Sequence, residues 1–345
     1  MKTQIAKLRA TPRVLCLILT MSCLAWSIQA GAELGDNSVG MNIHVGIPSH
    51  IAASQDLGVS WVRMDANWYQ IETADDVHHW SSLDAWVAEA NTAGLQVYLT
   101  LAYTPEWVAR ESGADSVFFN DAPQTATEWT DFVRDTVSRY CPLGVTHYGI
   151  WNEPNLSQFW EGSLEQYVDR ILIPGAAAVR DACQACGGTC KVLGPDIANV
   201  GDCDVYLEGV LARAGANTFD IIAHHTYQDF AETGWVLWNG DGFINVLDDQ
   251  RLPGYTRKDL RQILDAAGYS GEVWITETGY RAHPVGDSEE EAMQAIYVRR
   301  VLEEQLGRAW YTNSFFYEIS DCGVDQPDCD IDGYGLMRAL SAGDP

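Results

Sequence analysis

Two glutamates stand where hydrophobic runs stop. Tyr148, Gly149, Ile150 and Trp151 lead into Asn152, Glu153, Pro154 and Asn155. Val273, Trp274, Ile275 and Thr276 lead into Glu277, Thr278, Gly279 and Tyr280. Alone, either carboxylate reads most simply as a strand-end residue facing water. A converging pair does chemistry. One carboxylate attacks an anomeric carbon while the other protonates the leaving oxygen, and hydrolysis with retention needs the two about 5–5.5 Å apart.

The rest of the chain must supply elements that bring them together. Short apolar runs alternate with amphipathic stretches, the signature of a parallel α/β architecture. Strands are predicted at 39–46, 58–68, 95–105, 145–155, 190–199, 219–227, 272–280 and 313–321. Helical spacing is predicted at 80–93, 127–140, 164–183, 205–214, 257–267 and 288–306. Eight strands with helices between them point to a (β/α)8 TIM barrel. Few residues follow the last strand, so the eighth helix is expected to be short, irregular or missing.

In such a barrel the C-terminal strand ends carry the chemistry. That rim reads Asn42, His44, Arg63, Asp65, Trp68, Tyr103, Glu106, Trp107, Asn152, Glu153, Asp196, His225, Tyr227, Glu277, Tyr317 and Glu318. Burying such groups for structure alone would be costly. Glu153 and Glu277 end strands four and seven, which lie across the barrel mouth.

The chain here resembles clan A glycoside hydrolases. Trp151–Asn155 (WNEPN) and Trp274–Tyr280 (WITETGY) look like the acid/base and nucleophile motifs of that clan. The stretches at 58–72, 101–107 and 317–336 look more narrowly like family 39 and its bacterial exopolysaccharide-associated relatives. The resemblance runs from Val39 to Leu336. It implies that Glu153 is the acid/base and Glu277 the nucleophile. His225 and Tyr227 resemble the family's strand-six His-x-Tyr.

The residues themselves agree with these roles. Arg63 and Tyr227 are expected to donate to Glu277 and keep it ionised. Glu153, hemmed by Trp151, Pro154 and His225, is expected to hold its proton through desolvation and the Glu277 charge. Asn152 is expected at the sugar 2-hydroxyl, as the resemblance also implies. Trp68, Trp107 and Phe316 are aromatic candidates for stacking sugar rings, with the hydrophobic core as their other reading. His44 and Asn42 are candidates for the innermost subsite, and His224 reads as structural.

Composition narrows the partners. The formal charge is −27, so the surface repels nucleic acid and anionic lipid. Lys2, Lys7, Arg9 and Arg13 precede an apolar stretch of signal-peptide length. Residues 1–32 are therefore expected to be a signal peptide, cleaved near Ala30–Ala32, and residues 33–345 the catalytic barrel. No later stretch reads as a membrane span. The protein is expected to be secreted or periplasmic, which makes disulfides the default for its cysteines. Cys322 and Cys329 bracket a short loop and are the expected pair. Cys183, Cys186, Cys190 and Cys203 are expected to form two bridges, against a four-thiolate zinc site, and Cys141 is left over. Asp328–Gly333 imitates the start of a calcium loop. Ala339 stands where that loop places its glutamate, so it reads as an acidic loop over the cleft. Asn155 heads a glycosylation sequon that reads as coincidence beside a catalytic acid.

The expected activity is retaining hydrolysis of a β-linked poly- or oligosaccharide, with no cofactor and no metal. The alternatives are another specificity of the clan, a β-xylosidase or β-glucanase, and a carbohydrate-binding barrel without catalysis.

Overall fold

The computed structural model describes residues 38–43, 48–109, 117–227, 247–248, 257–283, 286–321 and 333–337. Eight parallel strands close into a barrel, each paired with its sequence neighbours and the first with the last. They are β1 (Val39–Asn42), β2 (Trp61–Asn67), β3 (Gln96–Ala102), β4 (His147–Ile150), β5 (Lys191–Ala198), β6 (Ile221–His225), β7 (Glu272–Thr278) and β8 (Tyr311–Phe316). The fold is a (β/α)8 TIM barrel.

The connecting helices are α1 (Pro48–Leu57), α2 (Ser81–Thr92), α3 (Thr127–Tyr140), α4 (Ile173–Ala185), α5 (Cys203–Ala214), α6 (Leu260–Ala266) and α7 (Ser288–Leu306). No helix follows β8 among the described residues. Apolar spacing does not announce α1, because its inward stripe includes His50 and Ser54 beside Ile51 and Ala53. The Ser54 hydroxyl satisfies itself within the helix by donating to the His50 carbonyl at 2.8 Å. By contrast α3 buries Trp129, Phe132, Val133, Thr136, Val137 and Tyr140 on one face. Two starts carry side-chain caps: Asp287 accepts from the N–H groups of Glu289 and Glu290 at the head of α7, and Asp259 forms a capping box with Gln262 at α6.

The core has two layers. Outside the strands, helices pack on residues such as Val62, Met64, Leu99, Ile150 and Ile275. Inside lies a smaller cluster of Trp61, Tyr98, Leu193, Ile221, Ala223, Trp274 and Phe315. Trp274 stacks on His147 with centroids 5.1 Å apart and meets Trp61 edge-on at 5.0 Å. Two glycines make room for these rings. A Cβ on Gly40 would come within 2.5 Å of Phe315, and one on Gly149 would collide with the Tyr98 hydroxyl. The barrel is thus plugged below its mouth.

The cysteines correct the expected pairing. Among the described residues the bridges are Cys141–Cys186 and Cys183–Cys190, and the free, buried thiol is Cys203 rather than Cys141. Cys141 follows α3 and Cys186 follows α4, and the packing of α3 along α4 brings Cys183 and Cys186 beside Cys141. Cys203 begins α5, where its thiol donates to Asn199 Oδ1 at 3.2 Å. No described helix is long and apolar enough to cross a membrane. Residues 1–32, Cys322, Cys329 and Asp328–Asp332 lie outside the described residues.

Candidate active site

Irregular backbone at the strand ends aims the side chains. Four non-glycine residues at the mouth take positive φ: Tyr103 (76°), Trp151 (75°), Glu153 (42°) and Asp196 (49°). Such conformations cost of order 1–3 kcal/mol each and persist where the surroundings impose them. At Trp151 the turn sends the indole outward, against Trp129, Trp160 and Tyr103. Asn152 and Glu153 then both face inward. Asn155 holds this segment to β5, donating to the Ala198 carbonyl at 2.9 Å and accepting the Ala198 N–H at 3.0 Å. The sequon asparagine is therefore a structural staple.

Two β-bulges finish the job. In β5, Pro195 pairs with Ala223 and Ile197 with His224, so Asp196 is an extra residue. In β7, Ile275 pairs with His224 and Glu277 with His225, so Thr276 is extra. Ile275 lies in the outer core. Strict alternation would send Glu277 the same way, and the bulge turns it inward.

Arg63, buried on β2, is the hub. Its Nη1 donates to Glu277 Oε1 at 2.6 Å and to Asn42 Oδ1 at 2.9 Å, and its Nη2 donates to Asn152 Oδ1 at 2.8 Å. Burial alone would lower its pKa, but Glu277 and then Asp196 hold it well above the usual value. Asn42 in turn donates to the carbonyls of Thr276 and Phe316. The Tyr227 hydroxyl donates to Glu277 Oε2 at 2.8 Å. Both Glu277 oxygens thus have a donor.

His225 lies among three carboxylates. Its Nδ1 is 2.8 Å from Glu153 Oε1 and 3.4 Å from Glu277 Oε2, and its Nε2 is 3.2 Å from Asp196 Oδ1. Burial disfavours the imidazolium, but Glu277 first, then Asp196 and Glu153, raise its pKa to about 9. Its neighbour His224 is buried in the opposite direction and pushed down by that burial to about 3. One contacting atom each of Glu153, His225 and Glu277 lies within 4.8 Å of the others. That spacing would suit a cation, but Arg63 and His225 already supply positive charge there.

Some expected site residues lie elsewhere. Trp68 is no sugar platform. It is fully buried, stacked on Phe132 at 5.6 Å, and donates its indole N–H to Glu72 at 2.7 Å. Phe316 is also buried in the outer core, because β8 alternation sends Phe315 inward instead. Trp107 is half-buried on the outer core, with its indole N–H on the Glu72 carbonyl at 2.9 Å. His44 lies outside the described residues. Tyr317 is half-buried near the site, with Tyr227 at 6.0 Å and Tyr334 at 5.7 Å. Burial, and then the charges of Glu318 and Glu277, keep its phenol protonated.

Asp196 and its donor Tyr98 carry no motif of their own, whereas its other donor, Thr276, lies within the Trp274–Tyr280 motif. Their signal was polarity on an otherwise apolar strand interior.

The model of glycosyl hydrolases family 39 matches residues 51–312. A family 39 glycoside hydrolase from Bacteroides cellulosilyticus WH2 is similar in structure, with TM-score 0.59 and 18% identity, over 89% of this chain and 61% of that one. A glucosidase from Croceicoccus marinus gives 0.61 and 17%, over 89% and 64%. Fungal β-1,4-galactanases give 0.60 and 15%, over 88% and 97%. At these identities the likeness establishes the fold. The chain spans less than two thirds of the length of the first two.

Proposed function

This chain belongs to glycosyl hydrolases family 39, and from that premise we propose that it is a retaining glycoside hydrolase. It cleaves a β-linked poly- or oligosaccharide by double displacement. The observation that carries the reading is the approach of the Glu153 and Glu277 carboxylates, with oxygens within 4.8 Å. That fits the close spacing of retaining enzymes better than the about 6.5–9.5 Å of inverting ones.

Glu277 is the nucleophile. Arg63 and Tyr227 keep it charged and oriented. Glu153 protonates the leaving oxygen as Glu277 bonds to C1. It then takes a proton from the water that releases the sugar. Arg63 occupies Asn152 Oδ1. The Asn152 Nδ2 is left to donate to the 2-hydroxyl, a contact that strengthens in the transition state. Tyr317 offers a ring face beside this centre. A chain of charge −27 favours an uncharged glycan over a polyanionic one. Two disulfides fit an oxidising compartment. Residues 1–32 serve as the export signal, and residues 33–345 form the catalytic barrel.

The test is a panel of aryl β-glycosides and β-glycans with the wild type, Glu277→Ala and Glu153→Ala. Glu277→Ala is expected to lose about 10⁴-fold or more. Glu153→Ala is expected to stall at deglycosylation on activated substrates and to be rescued by azide. Proton NMR of the first-formed product should show the retained anomer. A wild type no faster than Glu277→Ala on every substrate would leave a carbohydrate-binding barrel instead.

A further inference from the structure

Asp196 is fully buried and ends no recognisable motif. It is the extra residue of the β5 bulge, held at φ 49°. A carboxylate in that position needs a reason, because desolvating it is costly. Its partners give one. Oδ2 accepts from the Tyr98 hydroxyl at 2.7 Å, and Oδ1 accepts from Thr276 Oγ1 at 2.5 Å and faces His225 Nε2 at 3.2 Å. Its carbonyl accepts the Glu153 N–H at 2.9 Å. Asp196 therefore touches the acid/base twice, once through the backbone and once through the His225 ring.

Both nitrogens of that ring point at carboxylate oxygens, and an imidazolium donates to both. Nδ1–H then bonds Glu153 Oε1, and Nε2–H bonds Asp196 Oδ1. An imidazolium paired with Glu153 alone would favour the ionised form of the acid and strip it of the proton it must deliver. We propose that Asp196 is a positioning residue: it neutralises His225, so that Glu153 keeps its own proton for the leaving oxygen. The proposal rests on the retaining-hydrolase reading above.

The charges around the cluster support it. Arg63 on β2 and His225 on β6 are the cations, and Glu277 on β7 and Asp196 on β5 the anions. Tyr98, Tyr103, Tyr167, Tyr227 and Tyr317 surround them, all kept protonated chiefly by burial. His224 is neutral, and Asp65 and Glu318 are only half-buried at the rim. Two cations and two anions balance when Glu153 is protonated. In glycosylation, Glu277 bonds to C1 and loses its charge. The C1–O bond breaks, and the Glu153 proton joins the leaving oxygen, so Glu153 gains the charge that Glu277 lost. Hydrolysis reverses both changes. The buried cluster stays neutral throughout, and it does so only with Asp196 ionised. Burial opposes that ionisation, but the bond to His225 and the Arg63 charge lower its pKa overall.

The experiment is Asp196→Asn, which keeps the shape and removes the charge. A dinitrophenyl β-glycoside, whose leaving group needs no acid, should be cleaved within about 3-fold of wild type. A phenyl β-glycoside should fall by about 10²-fold, the scale of lost general-acid help. The alkaline limb of kcat/KM should move to lower pH. Equal losses on both substrates with an unmoved pH profile would mean a merely structural role and overturn the proposal. A second measurement does not depend on the variant folding. In ¹⁵N-histidine-labelled wild type, one ring should stay doubly protonated at about pH 8, and its signal should vanish in His225→Gln. A neutral His225 ring at that pH overturns the proposal. If the wild type cleaves neither glycoside, the hydrolase reading fails, while the NMR still reports on the His225–Asp196 pair.

Discussion

The two ends of the barrel interior are built from the same eight strands and have opposite chemistry. Toward the strand starts, Trp61, Tyr98, Trp274 and Phe315 fill the bore with rings. At the strand ends, Arg63, His225, Asp196, Glu153 and Glu277 fill it with charge. Each end holds a histidine, and the two are displaced in opposite directions. His147, stacked on Trp274, is pushed down to about 4 by burial and then by Lys191. His225 is raised to about 9, because its acidic neighbours, Glu277 first, outweigh its burial. Neighbours, not residue type, decide what a buried imidazole does. Burial of the plug's rings stabilises the same barrel that carries four positive-φ residues and a crowded charge cluster at its mouth.

That division of labour is breakable. Trp274→Ala should cost most, about 3–5 kcal/mol of stability as a large cavity opens inside the strands. Urea unfolding measures this, and activity per folded molecule should change little. A cost under about 1 kcal/mol would mean the plug is not what supports the mouth. Arg63→Met should do the reverse. It takes one donor each from Glu277, Asn42 and Asn152 at once, so kcat/KM should fall about 10²–10³-fold, the scale of one lost electrostatic stabiliser. Near-normal kinetics would remove Arg63 from the site. Tyr98→Phe probes the boundary, because its ring lies in the plug and its hydroxyl bonds Asp196. It should cost about 1–2 kcal/mol, with packing retained and one buried acceptor bond lost.

The smallest effect is in pH dependence, and it separates the two histidines by sign. His225 is raised above its ordinary value of 6.5. Its stabilisation is complete below that value and disappears as pH rises toward 9. His147 is lowered, so its neutral form is the folded one. Stability is lost there as pH falls from 6.5 toward 4. Melting temperatures of the wild type, His225→Gln and His147→Gln across this range should show one difference fading in base and the other in acid. Two differences fading on the same side would contradict the contrast between the ends.

Much of this molecule was legible in its sequence. Strand patterning announced all eight strands, and α3 and α7 run from Thr127 to Tyr140 and from Ser288 to Leu306 as their spacing predicts. The helix α1 escaped because its buried stripe is half polar. Trp68 and Phe316 misled for a related reason. An aromatic at a strand end looks the same in sequence whether it faces the cleft or the helices. Cys141 looked unpaired because its partner is 45 residues away. Only the packing of α3 on α4 brings the two together.

The sequence by itself determined the architecture and the family motifs and singled out the two candidate glutamates, because strand periodicity and short motifs are local properties. It could not determine which way Glu277 points. Alternation along β7 sends Ile275 into the outer core and would send Glu277 after it. The extra residue Thr276 reverses that, as Asp196 does on β5 and the positive φ of Trp151 does after β4. Bulges and left-handed residues are imposed by pairing with neighbouring strands, so the convergence of Glu153, His225, Asp196 and Glu277 exists only in the closed barrel.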